Sequence, residues 1–344
     1  MEVKIQALLF FSSIALIILA GIFFRISMLK YFGFYEPDGY YHYSIIVQVI
    51  ENGFRFPKYD VLSGWPQHTL FNTEPEGLYW VTLLPYLFLR YFGVSVYNVM
   101  RLVPVAYGIA DIVGAYFLSR YLSKNKIFSL LVLLFVSLSL GDAARTSALI
   151  YRGDGFVTIF LIISLIFLVK VFKSSNWLES FSFAFLSAVF LSLCNFVWNG
   201  APFATAIYYI SVGLIISLSF IFLNDKDLNN SLYAIAAIVI WYVISNLYKA
   251  WDLFLSQTFT GKYFISLILF LLLGWILAKS MLNRKSITKH FVLRGAIVIS
   301  FSILVILLAR ELEPALFYQV FVGNGFIVTN SFSATIEELQ SPTA

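Results

Sequence analysis

The sequence predicts an all-α polytopic membrane protein, and its composition and apolar segments carry that prediction. Hydrophobic residues make up 60% of the 344 residues, charged residues make up 12%, and the mean hydropathy is +0.86. Soluble domains are usually about 45–50% apolar and about 25% charged. The composition therefore excludes an ordinary soluble domain and indicates repeated passage through a bilayer.

Ten apolar segments are candidates for membrane helices, since a spanning helix needs about 20 residues. The segment 127–140 is short by itself, so we expect it to extend into its flanks. The first segment exceeds the about 7–15 apolar residues of a secretory signal, so we interpret it as a retained span. The ten segments lie near 7–29, 77–92, 103–120, 127–140, 155–173, 180–196, 201–223, 231–247, 263–279 and 291–309.

The distribution of basic residues predicts the orientation of the chain. Lysine and arginine accumulate at 120–126, 170–173 and 279–294, and short loops rich in these residues face the cytoplasm. This assignment places residues 141–155 and 310–344 on the outer face. The net charge of +5 is spread over loops without a block that could track a phosphate backbone, so no nucleic acid partner is expected.

Segment 77–92 decides the topology of the first part. If it crossed the membrane, Asp38 and the basic loop 120–126 would share the outer face. The segment is short and contains Pro85, so we expect it to lie on or dip into the outer interface. About nine spans then remain, the N-terminus is cytoplasmic, and residues 30–101 form one long external loop. We expect a transmembrane domain over 1–309 and an external loop over 310–344, in a multi-pass protein of the cell membrane.

The first acidic motif reads EPDGYYHY over residues 36–43, directly after the first span. Proline is favourable at the first position of a helix, so Asp38 is expected in the first turn of a short helix. His42 follows four residues later, on the same face. A helix-start acid also interacts favourably with the helix dipole without any further role.

Two further acidic motifs follow later in the chain. RTSALIYRGD over 145–154 lies at the lip of a span, with Asp154 between two glycines and with Arg145 and Arg152 as candidate ion-pair partners. TIEE over 335–338 follows the last span. Thr335 and Glu338 also match a capping box, which is an alternative structural interpretation.

The predicted topology gathers these three motifs at one membrane face. Mg²⁺ and Mn²⁺ take carboxylate oxygens as ligands, and Mg²⁺ typically uses one or two carboxylates plus substrate phosphates. A cation held by Asp38 and Asp154 would neutralise a diphosphate leaving group, while the remaining carboxylate orients a nucleophile. The motifs therefore predict a metal site, with Mn²⁺ or Mg²⁺, that handles a lipid-borne anionic substrate.

In order, spacing and sidedness, the three motifs resemble those of the catalytic subunit of oligosaccharyltransferase, and the archaeal members most of all. The resemblance implies a GT-C-type glycosyltransferase architecture with nine spans before the third motif. It also implies inverting transfer of an oligosaccharide from a polyprenyl (dolichyl) phosphate or diphosphate to the asparagine of Asn-x-Ser/Thr in an acceptor polypeptide. Asp38 and Glu338 would be catalytic residues that engage the amide N–H groups of that asparagine.

The same resemblance assigns the remaining site residues. Asp38, Asp154 and Glu338 would hold the Mn²⁺ or Mg²⁺ ion, and Arg145 would hold the second external loop in place. Arg152, Thr335 and His42 are candidates for substrate binding or loop positioning.

The chain departs from the family pattern at two points. Arg152 stands where the family usually has an aspartate, which implies one carboxylate fewer at the metal or a contact from Arg152 to the diphosphate. The family's WWDYG motif and its C-terminal external globular domain are absent from the sequence, so we expect a fragment, a split gene product or a degenerate relative.

Two other functions remain open from the sequence. Another lipid-phosphate-sugar glycosyltransferase would use Asp38 without needing Glu338. A non-enzymatic transporter or lipid flippase would depend on Asp111, an acid in the middle of a span. Asp111 is otherwise expected to form a hydrogen bond between helices.

Overall fold

The computed structural model confirms the all-α fold class. It describes residues 2–57, 59–60, 69–70, 75–198, 202–247, 261–282 and 291–312. Apart from a two-residue antiparallel pair, Tyr59–Asp60 with Thr69–Leu70, the regular elements of this part are helices. The main ones are α1 (Glu2–Ile26), α2 (Pro37–Glu51), α3 (Glu76–Leu89), α4 (Val96–Ser123), α5 (Lys126–Leu138), α6 (Leu140–Arg145), α7 (Gly153–Lys173), α8 (Trp177–Val197), α9 (Pro202–Ile221), α10 (Asp225–Leu247), α11 (Gly261–Leu282) and α12 (Phe291–Leu312).

Six helices of the described residues are long and apolar enough to cross a membrane. They are Ile5–Lys30, Val96–Ser123, Gly153–Lys173, Trp177–Val197, Ala204–Ile221 and Asp225–Ser245. Shorter apolar stretches lie within α5, α11 and α12, at Lys126–Leu138, Ile268–Leu282 and Phe291–Ser302. The multi-pass prediction is thus confirmed, while the span count of nine stays a prediction.

The described helices fall into two compact units. The first lies within Met1–Val212 and Asn230–Phe254, and the second within Gly213–Asn229 and Leu255–Ala344. In the second unit the indole Nε1 of Trp275 donates to the Leu228 carbonyl at 2.7 Å, and Lys279 pairs with Asp225.

Small polar residues join α7 to α8 inside the first unit. The hydroxyl of Ser164 donates to the Ser187 carbonyl at 2.8 Å, and the hydroxyl of Ser187 donates back to the Ser164 carbonyl at 2.8 Å. Small residues let membrane helices approach closely, and hydrogen bonds between them add to the packing. This pair joins the middle of α7 to α8, and the start of α7, eleven residues earlier, belongs to the candidate site.

Helix α3 is too short to cross a bilayer. Its 14 residues extend about 21 Å at 1.5 Å per residue, whereas the hydrocarbon core is about 30 Å thick. The helix packs closely on α8, because a Cβ added at Gly77 would lie 2.0 Å from the Phe196 carbonyl oxygen. This length agrees with the expected interfacial position of 77–92. The sidedness of the loop stays a prediction.

Segment 127–140 does not extend into its C-terminal flank as expected. Helix α5 ends at Leu138, Ser139 is extended with ψ 114°, and the separate short helix α6 begins at Leu140. The break redirects the chain so that Arg145, the last residue of α6, lies next to the start of α7.

Candidate active site

Four charged side chains from the first two acidic motifs meet at one place. Arg152 Nη1 lies 3.3 Å from Glu36 Oε2, and Arg152 Nε lies 3.8 Å from Asp154 Oδ1. Arg145 Nη1 lies 3.9 Å from Glu36 Oε1, and Arg145 Nε lies 3.5 Å from Asp154 Oδ2. Each arginine therefore faces both acids, and each acid faces both arginines, in a ring of alternating charge that we call the charge ring.

Helix ends position all four members of the charge ring. Glu36 precedes α2 in an extended conformation, and its side chain makes no hydrogen bond to the helix start. Arg152 precedes α7 in the same way, and Asp154 lies in the first turn of α7. Acids are stabilised near the positive end of a helix dipole. The sequence predicted Asp154, Arg145 and Arg152 here, but it missed Glu36.

Asp38 lies in the first turn of α2, as Pro37 predicted, and its side chain is exposed. His42 lies one turn later and is buried, with Nδ1 3.4 Å from the hydroxyl oxygen of Tyr79. Burial lowers the pKa of His42 to about 4; the charge of Asp38 opposes this shift and the charge of Arg152 adds to it. His42 is therefore a neutral side chain beneath the loop, close to both motifs.

The second motif is anchored to α3 through Tyr151. The hydroxyl of this fully buried tyrosine donates to the Leu78 carbonyl and accepts a hydrogen bond from the Thr82 hydroxyl at 2.9 Å. Its ring lies 5.7 Å from the His42 ring. The ring contact between Tyr151 and His42 thus joins the second acidic motif to the first.

A buried arginine, Arg101, clamps the first external loop to the second. Its Nη2 donates to the carbonyl of Tyr31 at 2.7 Å, and its Nε donates to the carbonyl of Ala148 at 3.1 Å. Next to this clamp the Tyr35 amide donates to the Leu149 carbonyl at 2.9 Å. The backbones that lead into Glu36 and Arg152 are therefore held together directly. Sequence reasoning did not identify Arg101, whose only signal was a charge inside an apolar helix.

A second buried arginine, Arg25, holds α6 from below. It forms an ion pair with Asp142, and its Nε donates to the Thr146 hydroxyl at 2.8 Å. Burial raises the pKa of the Asp142 carboxyl, and the neighbouring Arg25 charge opposes the rise. Both residues were missed by the sequence, and together they fix the helix that ends at Arg145.

Asp111 does not form the hydrogen bond between helices that the sequence predicted. It is fully buried in α4, and among the described residues both of its carboxylate oxygens lack a hydrogen-bond partner. The charges of Asp142 and Arg25 act on this carboxyl.

The described residues include side chains of the type that bind a divalent cation. Asp38 and Asp154 offer carboxylate oxygens, which suit Mg²⁺ and Mn²⁺. One oxygen of Asp154 is buried and has no hydrogen-bond partner in the part of the chain that the structure describes. Within the described part of the chain, no group of three acids, histidines or cysteines comes together that could hold a metal. The predicted third ligand, Glu338, and its neighbour Thr335 lie outside the described residues.

Comparisons with known proteins point to archaeal oligosaccharyltransferases. A dolichyl-phosphooligosaccharide–protein glycotransferase 2 of Pyrococcus horikoshii is 26% identical over 242 residues, covering 68% of this chain and 31% of that protein. A glycotransferase 1 of the same organism is 28% identical over 200 residues, covering 58% of this chain and 20% of that protein. The chain therefore spans less than a third of the curated relatives it matches. No family model matches.

Solved structures agree on the fold. The oligosaccharyltransferase AglB of Archaeoglobus fulgidus, in complex with an inhibitory peptide and a dolichol-phosphate, has a TM-score of 0.65 at 15% identity. The match covers 96% of this chain and 40% of that one. The apo form from the same organism has a TM-score of 0.63 at 14% identity. The chain is thus related in sequence, and alike in fold, to the N-terminal part of archaeal oligosaccharyltransferases, which confirms the family resemblance predicted from the three motifs.

Proposed function

We propose that this chain takes part in oligosaccharide transfer from a polyprenyl (dolichyl) phosphate or diphosphate to the asparagine of an Asn-x-Ser/Thr sequon. The observation that carries the proposal is the meeting of the first two acidic motifs in the charge ring, at the start of an apolar helix. The charge ring thereby combines two acids with two guanidinium groups next to an apolar helix, and guanidinium groups are suited to bind an anionic, lipid-linked donor.

The named relatives support both substrates. They are called dolichyl-phosphooligosaccharide–protein glycotransferases. One solved neighbour is in complex with a dolichol-phosphate, and another is tethered to an acceptor peptide containing an NVT sequon. We propose the same donor class and the same acceptor class for this chain.

The reaction we propose is an inverting displacement at the anomeric carbon. The asparagine nitrogen is a poor nucleophile because its lone pair is delocalised into the amide carbonyl. Asp38 and Glu338 would accept hydrogen bonds from the amide N–H groups and turn the nitrogen toward the sugar. The new C–N bond forms as the bond from the anomeric carbon to the phosphate oxygen breaks, one amide proton passes to the carboxylate that accepts its hydrogen bond, and the lipid phosphate leaves with the bonding electron pair.

A divalent cation, Mn²⁺ or Mg²⁺, would be held by Asp38, Asp154 and Glu338 and would add Lewis-acid charge at the departing phosphate. One solved neighbour is in complex with Zn and sulfate, which supports a metal in this group of proteins. Arg145 would keep Asp154 in place from one side and Arg152 from the other, as their 3.5 Å and 3.8 Å contacts suggest.

We further propose that the site faces outward from the cell membrane, with the N-terminus in the cytoplasm. The basic residues at 120–126 and 170–173 lie at the opposite ends of α4 and α7 from the charge ring. Basic loops favour the cytoplasmic side, which leaves the charge ring on the outer side.

Glycosylation of a fluorescent sequon peptide tests the proposal. The full chain is placed in nanodiscs with a polyprenyl-diphosphate oligosaccharide, and the glycopeptide is measured by mass spectrometry with and without EDTA and added Mn²⁺. We expect Asp38→Asn, Asp154→Asn and Glu338→Gln to reduce transfer by at least about 100-fold, and Glu51→Gln, an exposed acid at the other end of α2, to leave it unchanged.

Two results would contradict this assignment. Transfer that depends on Asp38 but not on Glu338 would identify another lipid-phosphate-sugar glycosyltransferase. Lipid or sugar transport that depends on Asp111 and on none of the three acids would identify a transporter.

A further inference from the structure

We propose that Glu36 occupies, within the protein, the place of the donor's phosphate between Arg145 and Arg152, and that the incoming lipid phosphate displaces it. This inference rests on the proposed function for the identity of the anion. It assigns to Glu36 a part in donor binding that the three acidic motifs did not indicate, and it pairs that part with Arg152.

The geometry of Glu36 is the first argument. Its two carboxylate oxygens face different arginines, with Oε1 3.9 Å from Arg145 Nη1 and Oε2 3.3 Å from Arg152 Nη1. Guanidinium groups bind carboxylate oxygens and phosphate oxygens alike. A phosphate that bridged the two guanidinium groups would present the same pair of oxygens with a larger charge.

The contacts of Glu36 are long, which is the second argument. Charge-assisted hydrogen bonds normally measure about 2.7–2.9 Å, and neither contact reaches this range. Arg145 Nη1 is buried and finds no hydrogen-bond partner among the residues that the structure describes. A buried donor without an acceptor is unfavourable, so an anion that reaches this atom gains an interaction that Glu36 does not make.

Glu36 can also leave without unfolding its helix. Its side chain does not cap α2, which starts at Pro37 with Asp38 in the first turn. The Glu36 side chain is 25% exposed, and the side chains of Arg145 and Arg152 are 41% and 23% exposed. The exchange therefore needs a change of side-chain conformation at a position that solvent and ligand can reach.

The location favours a lipid phosphate over a free one. Arg152 precedes α7 and Asp154 lies in its first turn, and α7 is apolar and long enough to cross the membrane. The charge ring thus lies where an apolar span begins, at the depth of lipid headgroups. A phosphate with a polyprenyl chain reaches this depth with its tail among the helices.

Binding measurements on two opposite substitutions test the proposal. The full chain in nanodiscs is titrated in EDTA with a polyprenyl phosphate, and in parallel with inorganic pyrophosphate. We expect Glu36→Gln to tighten polyprenyl phosphate binding by at least about fivefold, because it removes a like charge close to the ligand. Arg152→Gln should weaken binding by a similar factor.

Matched controls separate this role from a structural one. Glu51→Gln on the same helix and Arg55→Gln just after it change exposed side chains and should not alter the affinity. If Glu36 only braced the arginines, Glu36→Gln would weaken binding, and that result would overturn the proposal. Unchanged affinity in Glu36→Gln would overturn it as well.

The two anions separate the lipid from a soluble ligand. Tighter binding of pyrophosphate by Glu36→Gln without any gain for polyprenyl phosphate would overturn the lipid assignment. Glycan transfer is recorded on the same samples. A chain that binds polyprenyl phosphate as described but never glycosylates a sequon peptide would refute the proposed reaction and leave the binding role of Glu36 and Arg152 standing.

Discussion

Protonation of His42 should destabilise the folded chain below neutral pH. The folded state lowers the pKa of this histidine from 6.5 to about 4, chiefly through burial. Between these two values the unfolded chain binds more protons than the folded chain, so the free energy of unfolding rises with pH. Above pH 6.5 the neutral, buried His42 costs the folded chain nothing. As the pH falls from 6.5 toward 4, the free energy of unfolding decreases.

The magnitude follows from the size of the shift. One pKa unit corresponds to about 1.4 kcal/mol, so a shift from 6.5 to about 4 gives roughly 3 kcal/mol in full. At pH 5 the loss relative to pH 8 is about 2 kcal/mol by the same linkage relation. That loss lowers the melting temperature by on the order of a few degrees.

Thermal unfolding of the chain in detergent at pH 8 and pH 5 measures this loss. The loss of stability from pH 8 to pH 5 should be about 2 kcal/mol smaller in His42→Gln than in the natural sequence, while His68→Gln and His290→Gln should retain it in full. NMR titration of labelled histidines reads the pKa directly; Asp38→Asn should lower the pKa of His42 further, and Arg152→Gln should raise it. An equal pH-dependent shift in His42→Gln would refute the reasoning.

The remaining predictions concern the supports of the site. Arg101→Met should free the loops around Tyr31 and Ala148 and lower the free energy of unfolding by about 2–4 kcal/mol, because hydrogen bonds from a charged donor contribute about 1.5–3 kcal/mol each and are not additive. Faster protease cleavage after residue 145 measures the effect, and cleavage at the natural rate contradicts it. Arg25→Met should cost about 3–5 kcal/mol because it leaves a partly buried acid without its partner. Adding Asp142→Asn should recover part of that loss in thermal unfolding, and a double variant no more stable than the single one argues against the pair. Gly77→Ala should destabilise the fold by about 1–3 kcal/mol, because the added Cβ overlaps the Phe196 carbonyl oxygen. Gly141→Ala should be neutral, because its Cβ meets no described atom within 4 Å. Equal melting temperatures for the two variants would show that α3 and α8 move apart at no cost.

Local patterns in the sequence predicted the helices and their starts well. The proline at 37 correctly placed Asp38 in the first turn of α2, and the glycines around Asp154 marked the start of α7. The apolar runs located the long helices, because a helix satisfies all backbone hydrogen bonds within one apolar segment, as a bilayer requires. Each of these inferences depends on residues within a few positions of one another.

The partners of the charged side chains could not be predicted in the same way. Arg152 and Glu36 are 116 residues apart in the chain, and Arg25 and Thr146 are 121 apart. Which of several acids an arginine meets depends on how the helices pack, and that packing is set by many small contacts. The sequence therefore identified Arg145, Arg152 and Asp154 as candidates but missed Glu36, which completes the charge ring.

Comparison of the four arginines separates the fixed part of the site from the exchangeable part. Arg25 and Arg101 are buried, and each donates several hydrogen bonds of 2.7–3.3 Å to acceptors in neighbouring elements. Arg145 and Arg152 are partly exposed, and their contacts to acids are 3.3–3.9 Å long. A buried charge that loses its partners is strongly destabilising, whereas an exposed pair contributes little. A ligand can therefore rearrange only the outer pair, and the inner pair keeps the two loops in place while it does so.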